Sequence, residues 1–250
     1  MQIGCIVQAR MSSTRLPGKV LFKLAGKSVL GHVVERLSFC TTFDKVIIAT
    51  STDEADNLIA EWCKKNHLSC YRGSLNDVLD RYYKASNYFN LDSVIRITAD
   101  CPLIDPLIVD NVVNGFKSGD YDAFSLAGEF PDGLDCQVFS KYALENAWKN
   151  AKLPSEREHV GIYIEKTNSE KFKIGNIKPF RNLSRMRWTL DESEDYEFLK
   201  IIFENLYETG KIFYTKDVLN FLEYNSEILS INSHILRNEG YFKSVEKDFL

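Results

Sequence analysis

The chain has 250 residues, 44% of them hydrophobic and 26% charged, with a formal net charge of −4. This is the make-up of a globular protein large enough for a full core; it offers no long basic face for a nucleic-acid polymer and no run of about 20 apolar residues to span a membrane. Cysteines 5, 40, 63, 70, 101 and 136 form no C-x-x-C pair, so neither a disulfide framework nor a zinc site is indicated, and a reducing, cytoplasmic setting is expected.

Ile3 to Val7 reads as a buried first strand. A loop from Gln8 to Lys19 follows, with Pro17-Gly18 near its exit. Val29, Leu30, Val33, Val34 and Leu37 then mark one face of a helix. "KVIIAT" (Lys45 to Thr50) is a second strand, and Ser51-Thr52-Asp53 opens a helix with Ile59, Trp62 and Cys63 inward. "CYRG" is a short third strand, Asp77 to Tyr88 a helix, and Ser93 to Asp100 a fourth strand. Pro106 to Phe116 is a helix with proline in its first turn. This alternation predicts an α/β fold, a single Rossmann-like domain over residues 1–250 with a mainly parallel (mixed) sheet flanked by helices. Ligands of such sheets bind outside the carboxyl ends of the strands. Gln8–Lys19, Thr50–Asp53, Arg72–Gly73 and Thr98–Asp100 all fall there.

The second half is looser. Asp122 to Gly133 reads as strand and loop, "DCQVFS" as a strand, Lys141 to Ala151 and Glu156 to Lys166 as helices, and "KFKIGNI" as a strand. "RWTLD" (Arg187 to Asp191) has strand character and leads into a helix from Glu192 to Tyr207; Thr215 to Leu222 is one more helix. Residues 121–185 read as an excursion from the sheet, suited to substrate binding or dimerisation. The tail after Asn225 carries no legible pattern.

The first 34 residues hold Arg10, Arg15, Lys19, Lys23 and Lys27, with no acid before Glu35. Gly26-Lys27-Ser28 resembles the end of a phosphate-binding P-loop, but position 21 is leucine where that motif needs glycine. No G-x-G-x-x-G follows the first strand, so a dinucleotide fold is unsupported. The loop still has the parts of a polyphosphate cradle. Ser12, Ser13 and Thr14 let backbone N–H groups approach an anion. Arg10 and Arg15 offer planar forks and Lys19 a point charge. A nucleoside triphosphate carries about four negative charges, which three cations and a metal ion would match.

"QARMSSTRLPGKVL" resembles the signature of the sugar-acid cytidylyltransferases, the family of CMP-Kdo and CMP-sialic acid synthetases. More specifically, "IVQARMSSTRLPGKVL", "RGSLNDVLDRYYKA", "RITADCPLIDP", "FPDGLDCQVFS", "EREHV" and "TLDESEDY" resemble, in order, the spore-coat-polysaccharide-biosynthesis type. The resemblance implies a nucleotide-diphospho-sugar transferase type of fold and a homodimer. It also implies a Mg²⁺-dependent enzyme that transfers CMP from CTP to the anomeric hydroxyl of an acidic sugar, releasing pyrophosphate, for a surface polysaccharide. Residue by residue, it implies that Gln8, Ala9, Arg10, Ser13, Arg15 and Lys19 hold the nucleotide, and that Asp100 and Asp191 hold the metal. Arg10, Arg15, Lys19 and Asp100 are the catalytic candidates. Thr50, Asp53, Arg72 and Thr98 lie on the expected edge and complete the nucleotide set, although Asp53 reads equally as a helix cap. The CMP-Kdo branch has glutamine where this chain has Thr98, which leaves open another NTP or an acceptor that is not a sugar acid. For the acceptor, Asp135 in "DGLD" and Arg157 and His159 in "EREH" are the candidates: Arg157 to grip a carboxylate, His159 to orient or accept a proton. A salt-bridged helix end is the alternative, preferred for Glu156 and Glu158. A rival of another class is a sugar-nucleotide-binding, glycosyltransferase-like module with Asp120-Tyr121-Asp122 as its D-x-D motif.

Overall fold

In the computed structural model, which describes residues 1–249, β1 (Ile3–Gln8) pairs on both sides, as an uncharged run buried on both faces can. β4 (Lys45–Ser51) and β6 (Ser93–Thr98) flank it in parallel, and β5 (Ser69–Gly73) extends the sheet beyond β4. Successive side chains point to opposite faces. Cys5, Val7, Ile48, Ile95 and Ile97 pack towards α1 (Val29–Leu37), α2 (Asn57–Lys65) and α4 (Pro106–Lys117). Ile6, Ile47, Ala49 and Val94 pack towards α3 (Val78–Tyr88) and α5 (Lys141–Asn150). β2 (Lys23–Leu24) and β3 (Lys27–Ser28) form a small separate hairpin.

Residues 121–185 do not leave the sheet. They supply β7 (Ala123–Leu126), β8 (Gln137–Ser140) and β9 (Ile174–Ile177), and the strand order is β5-β4-β1-β6-β8-β7-β9. β8 runs antiparallel to both β6 and β7, while β9 is parallel to β7. The same arrangement overturns the strand expected at 187–191. β8 already fills the edge of β6, with Arg96 opposite Gln137. The 187–191 segment therefore crosses above that edge, and its one ladder contact is an isolated bridge between Asp132 and Arg187.

The helix expected over 156–166 is also broken. α6 (Pro154–Glu158) stops where His159 leaves helical geometry, and a wide helical turn, Tyr163–Thr167, follows. Asp53 caps a single tight turn, and α2 proper starts four residues later. α7 (Ser193–Leu206) and α8 (Thr215–Tyr224) close a third core around Trp188, Leu190, Phe198, Leu199 and Ile202. The tail folds as α9 (Glu239–Lys247), packed on α6. Among the described residues no helix is long and apolar enough to cross a membrane.

Candidate active site

The site is built where β1 ends. Asp56 ties the departing chain to β4: its carboxylate accepts the N–H of Met11 at 2.7 Å and that of Ser51 at 3.0 Å. Burial pushes the Asp56 carboxyl up, but the Ser51 hydroxyl and these amides outweigh it and hold it below the usual range. Gly18 has φ +75°, a left-handed conformation that a Cβ disfavours. It turns the chain into one tight turn, Lys19–Leu21, which carries Lys19 inward until it is 7% exposed.

Lys19 is the centre of the constellation. Its Nζ donates to Asp100 Oδ2 at 2.7 Å, to Asp191 Oδ1 at 2.6 Å and to the Leu190 carbonyl at 2.6 Å. Asp100 stands two residues beyond β6 and Asp191 two residues before α7. The Leu190 N–H donates to the Asp100 carbonyl at 2.8 Å, so the two carboxylates are fixed to each other through the main chain. Burial works against the Lys19 charge, but Asp100 and Asp191 more than offset it and raise its pKa. Burial likewise works against the Asp100 charge, and Lys19 overrides it, holding that carboxyl at about 2. Arg15 adds a second cation, 3.1 Å from Asp191, 3.0 Å from Glu192 and 2.9 Å from Glu239. Behind Asp191, Arg187 is buried between Asp132, at 3.1 Å, and Asp195, at 2.8 Å. Asp195 also accepts the Asp191 and Glu192 N–H groups and so caps α7.

Two cavities meet at this centre. The first, about 600 Å³, is lined by Gln8, Arg10, Ser13, Arg15, Lys19 and Thr98 and reaches Arg157. The second, about 610 Å³, contains Asp135, His159, Arg96 and Glu165. Arg10, Arg15, Thr98, Asp100 and Asp191 line both, so the pair of aspartates stands between two ligand-sized spaces.

Four of the expected nucleotide residues lie elsewhere. Ala9 is buried, its N–H bonded to the Ala49 carbonyl. Thr50 is buried in the sheet with its hydroxyl unpaired. Asp53 caps its turn by accepting the Ala55 N–H at 3.0 Å. Arg72 donates to the Ser51 and Asp53 carbonyls and to Asn57 Oδ1, which holds the β4–α2 loop. The ends of β4 and β5 thus consolidate their own loop, and the cavities open over β1 and β6 and, for the second, over β7 and β8. Arg157 borders the first cavity, but its fork is bound to the Asp77 carboxylate and to the Trp148 carbonyl, so it joins α6 to α3. Asp135 caps Gly133, and His159 Nε2 lies 3.1 Å from Ser244 Oγ. Burial pulls the His159 pKa down, with Arg96 acting in the same direction. Asp120-Tyr121-Asp122 sits before β7, away from both cavities; Asp122 holds Ser140 and the Lys173 N–H.

Sequence reasoning missed Arg187, Arg96, Gln137, Glu165 and the whole of α9. Arg96 donates to Gln137 at 2.8 Å, and Gln137 donates on to Glu165, whose other oxygen is buried without a partner. Of these only Arg96 left a sequence signal, a charge placed within an apolar strand.

Asp100 and Asp191 suit a divalent ion of the hard, oxygen-binding kind. Both present carboxylate oxygens to one cationic centre, and Asp100 Oδ1 faces Cys101 Sγ at 3.7 Å. No third protein ligand of the His, Cys, Asp or Glu type joins them among the described residues; one or two carboxylates are enough for an ion that keeps several waters.

Known proteins are similar to this chain. A Bacillus subtilis spore coat polysaccharide biosynthesis protein, SpsF, is 32% identical over 207 residues, covering 80% of this chain and 85% of its own. An Arabidopsis thaliana mitochondrial 3-deoxy-manno-octulosonate cytidylyltransferase is 33% identical over 232 residues, covering 81% of this chain and 73% of its own. A solved cytidylyltransferase from Leptospira borgpetersenii superposes with a TM-score of 0.86 at 36% identity, over 92% of this chain and 97% of that one. The cytidylyltransferase family model matches residues 4–231, and this chain belongs to that family of nucleotidyl-transferring enzymes.

Proposed function

We propose that this chain transfers CMP from CTP to the anomeric hydroxyl of an acidic sugar and releases pyrophosphate, with Mg²⁺ as cofactor. The observation that carries the reading is the grip of Lys19 on Asp100 and Asp191 at the junction of two cavities. One cavity takes the triphosphate and the other the acceptor, so the α-phosphorus lies between them. Arg10 pairs with no carboxylate among the described residues and, with Arg15, faces the phosphates. Fixed cations at this point stabilise charge on the leaving pyrophosphate without reorganising during the reaction. Asp100 and Asp191 would hold the ion, which would supply charge neutralisation at the reacting phosphoryl group. Gln8 lines the nucleotide cavity with its amide oxygen unpartnered, an acceptor suited to a base amine. On the acceptor side, Arg96 and His159 face the cavity that the sugar would enter. A homodimer packed through residues 121–185 belongs to the same reading; Phe180 there is fully exposed.

Mixing the protein with Mg²⁺, each of four NTPs and a panel of ulosonic acids and neutral sugars, and measuring pyrophosphate, tests the assignment. CTP with an ulosonic acid is the expected productive pair. Arg15→Ala and Asp100→Asn should each lower kcat by about 10²-fold or more while the fold persists. Wild-type rates in either variant remove the role given to that residue. Release from another NTP alone moves the base assignment away from cytosine.

A further inference from the structure

The family match stops at residue 231, yet the chain beyond it closes over the candidate site. Asn232, 2% exposed, donates to the Arg187 carbonyl at 3.0 Å and to Asp195 at 2.9 Å. Arg237 donates to the Gly128 and Phe130 carbonyls. At the far end, Asp248 accepts the Ser155 N–H at 2.8 Å, and Ser244 Oγ donates to Glu158 at 2.6 Å. Between these anchors α9 presents Gly240, Lys243, Ser244 and Lys247 to the first cavity, a spacing that keeps them on one helical face. Glu239 bridges Arg15, at 2.9 Å, and Lys243, at 2.6 Å.

We propose that α9 is the outer wall of the polyphosphate site, in which Lys243 and Lys247 bind phosphoryl oxygens together with Arg15, and Glu239 is the resident anion that a bound polyphosphate displaces. The inference rests on the nucleotide reading above. Charge balance drives it. Of the three loop cations only Arg10 has no carboxylate partner among the described residues; Lys19 is committed to Asp100 and Asp191, and Arg15 to Asp191 and Glu192. A triphosphate of about four negative charges needs further cations, and α9 holds two on the correct face. Of the three carboxylates on Arg15, only Glu239 comes from the opposite wall, and its side chain is the most exposed, at 36%. It can swing away while Ser244 and Asp248 keep the helix in place. A terminal phosphoryl group brings close to two negative charges, about twice those of a carboxylate, and its arrival would release Lys243 as well as Arg15.

Inorganic tripolyphosphate is the probe, because it needs neither base nor acceptor. Calorimetric titration of the full chain should show Lys243→Ala/Lys247→Ala binding it about tenfold more weakly than wild type, with the gap narrowing at high salt. Glu239→Gln should bind it about threefold or more tightly. Wild-type affinity in the double lysine variant, or unchanged or weaker binding by Glu239→Gln, overturns the proposal. If CTP turnover by the wild type is intact in that case, the nucleotide reading stands and only α9 is removed from it. Failure of the wild type to bind tripolyphosphate at all likewise overturns the α9 proposal, and the nucleotide reading falls with it only if no NTP is turned over.

Discussion

Lys19 and Asp100 hold one another ionised. Burial alone would favour a neutral amine and a protonated Asp100, and each is prevented by the other. Lys19→Met keeps most of the side-chain volume and removes the charge. Asp100 and Asp191 then stand together with only Arg15 and Arg187 nearby, both on the Asp191 side. Removing one partner of a fully buried pair costs about 3–5 kcal/mol; with these carboxylates about a quarter exposed, a loss of about 2 kcal/mol is expected in metal-free protein. Added Mg²⁺ should recover part of it in the variant, because the ion takes over the neutralisation. Urea denaturation with and without Mg²⁺ measures both effects. Unchanged metal-free stability would mean that the carboxylates need no internal cation, and the site would have to be redrawn around Arg15.

The segment that carries Asp191 is positioned as a unit by its contact with residues 132–133. The Asp132 N–H donates to the Met186 carbonyl at 2.9 Å, and the Trp188 N–H donates to the Asp132 carbonyl at 2.6 Å. Gly133 has φ +104°, and a Cβ there would sit 2.5 Å from Thr189 N and from Trp188 C. Gly133→Ala should therefore shift residues 187–191, cost about 3 kcal/mol or more and lower turnover. A thermal melt and a pyrophosphate-release rate both at wild-type values would show that the close approach is dispensable. This contact also marks where sequence reading gave out. Trp188 and Leu190 alternate with polar residues as in a half-buried strand, but whether a strand forms depends on a free sheet edge, and β8 occupies it. At the break, His159 meets Ser244, 85 residues away, and no local periodicity encodes that contact. α9 is short and buries only Ser244, so its few apolar residues mark no core face to read. The parallel strands, α1 to α4, and the loop with Arg10, Arg15 and Lys19 were legible because their signals are local: apolar runs, caps, and one cluster of cations closed by Pro17-Gly18.

At the scale of the whole molecule, the carboxyl edge of the sheet concentrates buried acids, and that sets a pH dependence. Asp132 is 8% exposed; burial and then Asp135 push its carboxyl up to about 7, against the pull of Arg237 and Arg187. Burial raises Glu165 in the same direction. An unfolded aspartate titrates near about 3.9. Below that pH both states carry the proton. Between about 4 and 7 the unfolded chain ionises while the folded one keeps its proton, so stability falls as pH rises, and above about 7 the loss is complete. Asp100 works oppositely: its depressed pKa stabilises the fold above about 4, a contribution lost as pH falls towards about 2. Asp132→Asn removes the first titration and leaves the second. Relative to that variant, the wild type should lose up to about 1.4 kcal/mol per pH unit between about pH 5 and 7 and then run parallel to it. Urea midpoints of the two proteins across that range read the difference directly. Parallel curves throughout would mean that Arg187 keeps the Asp132 carboxylate ionised in the fold, and that the junction beneath the second cavity is a satisfied ion pair.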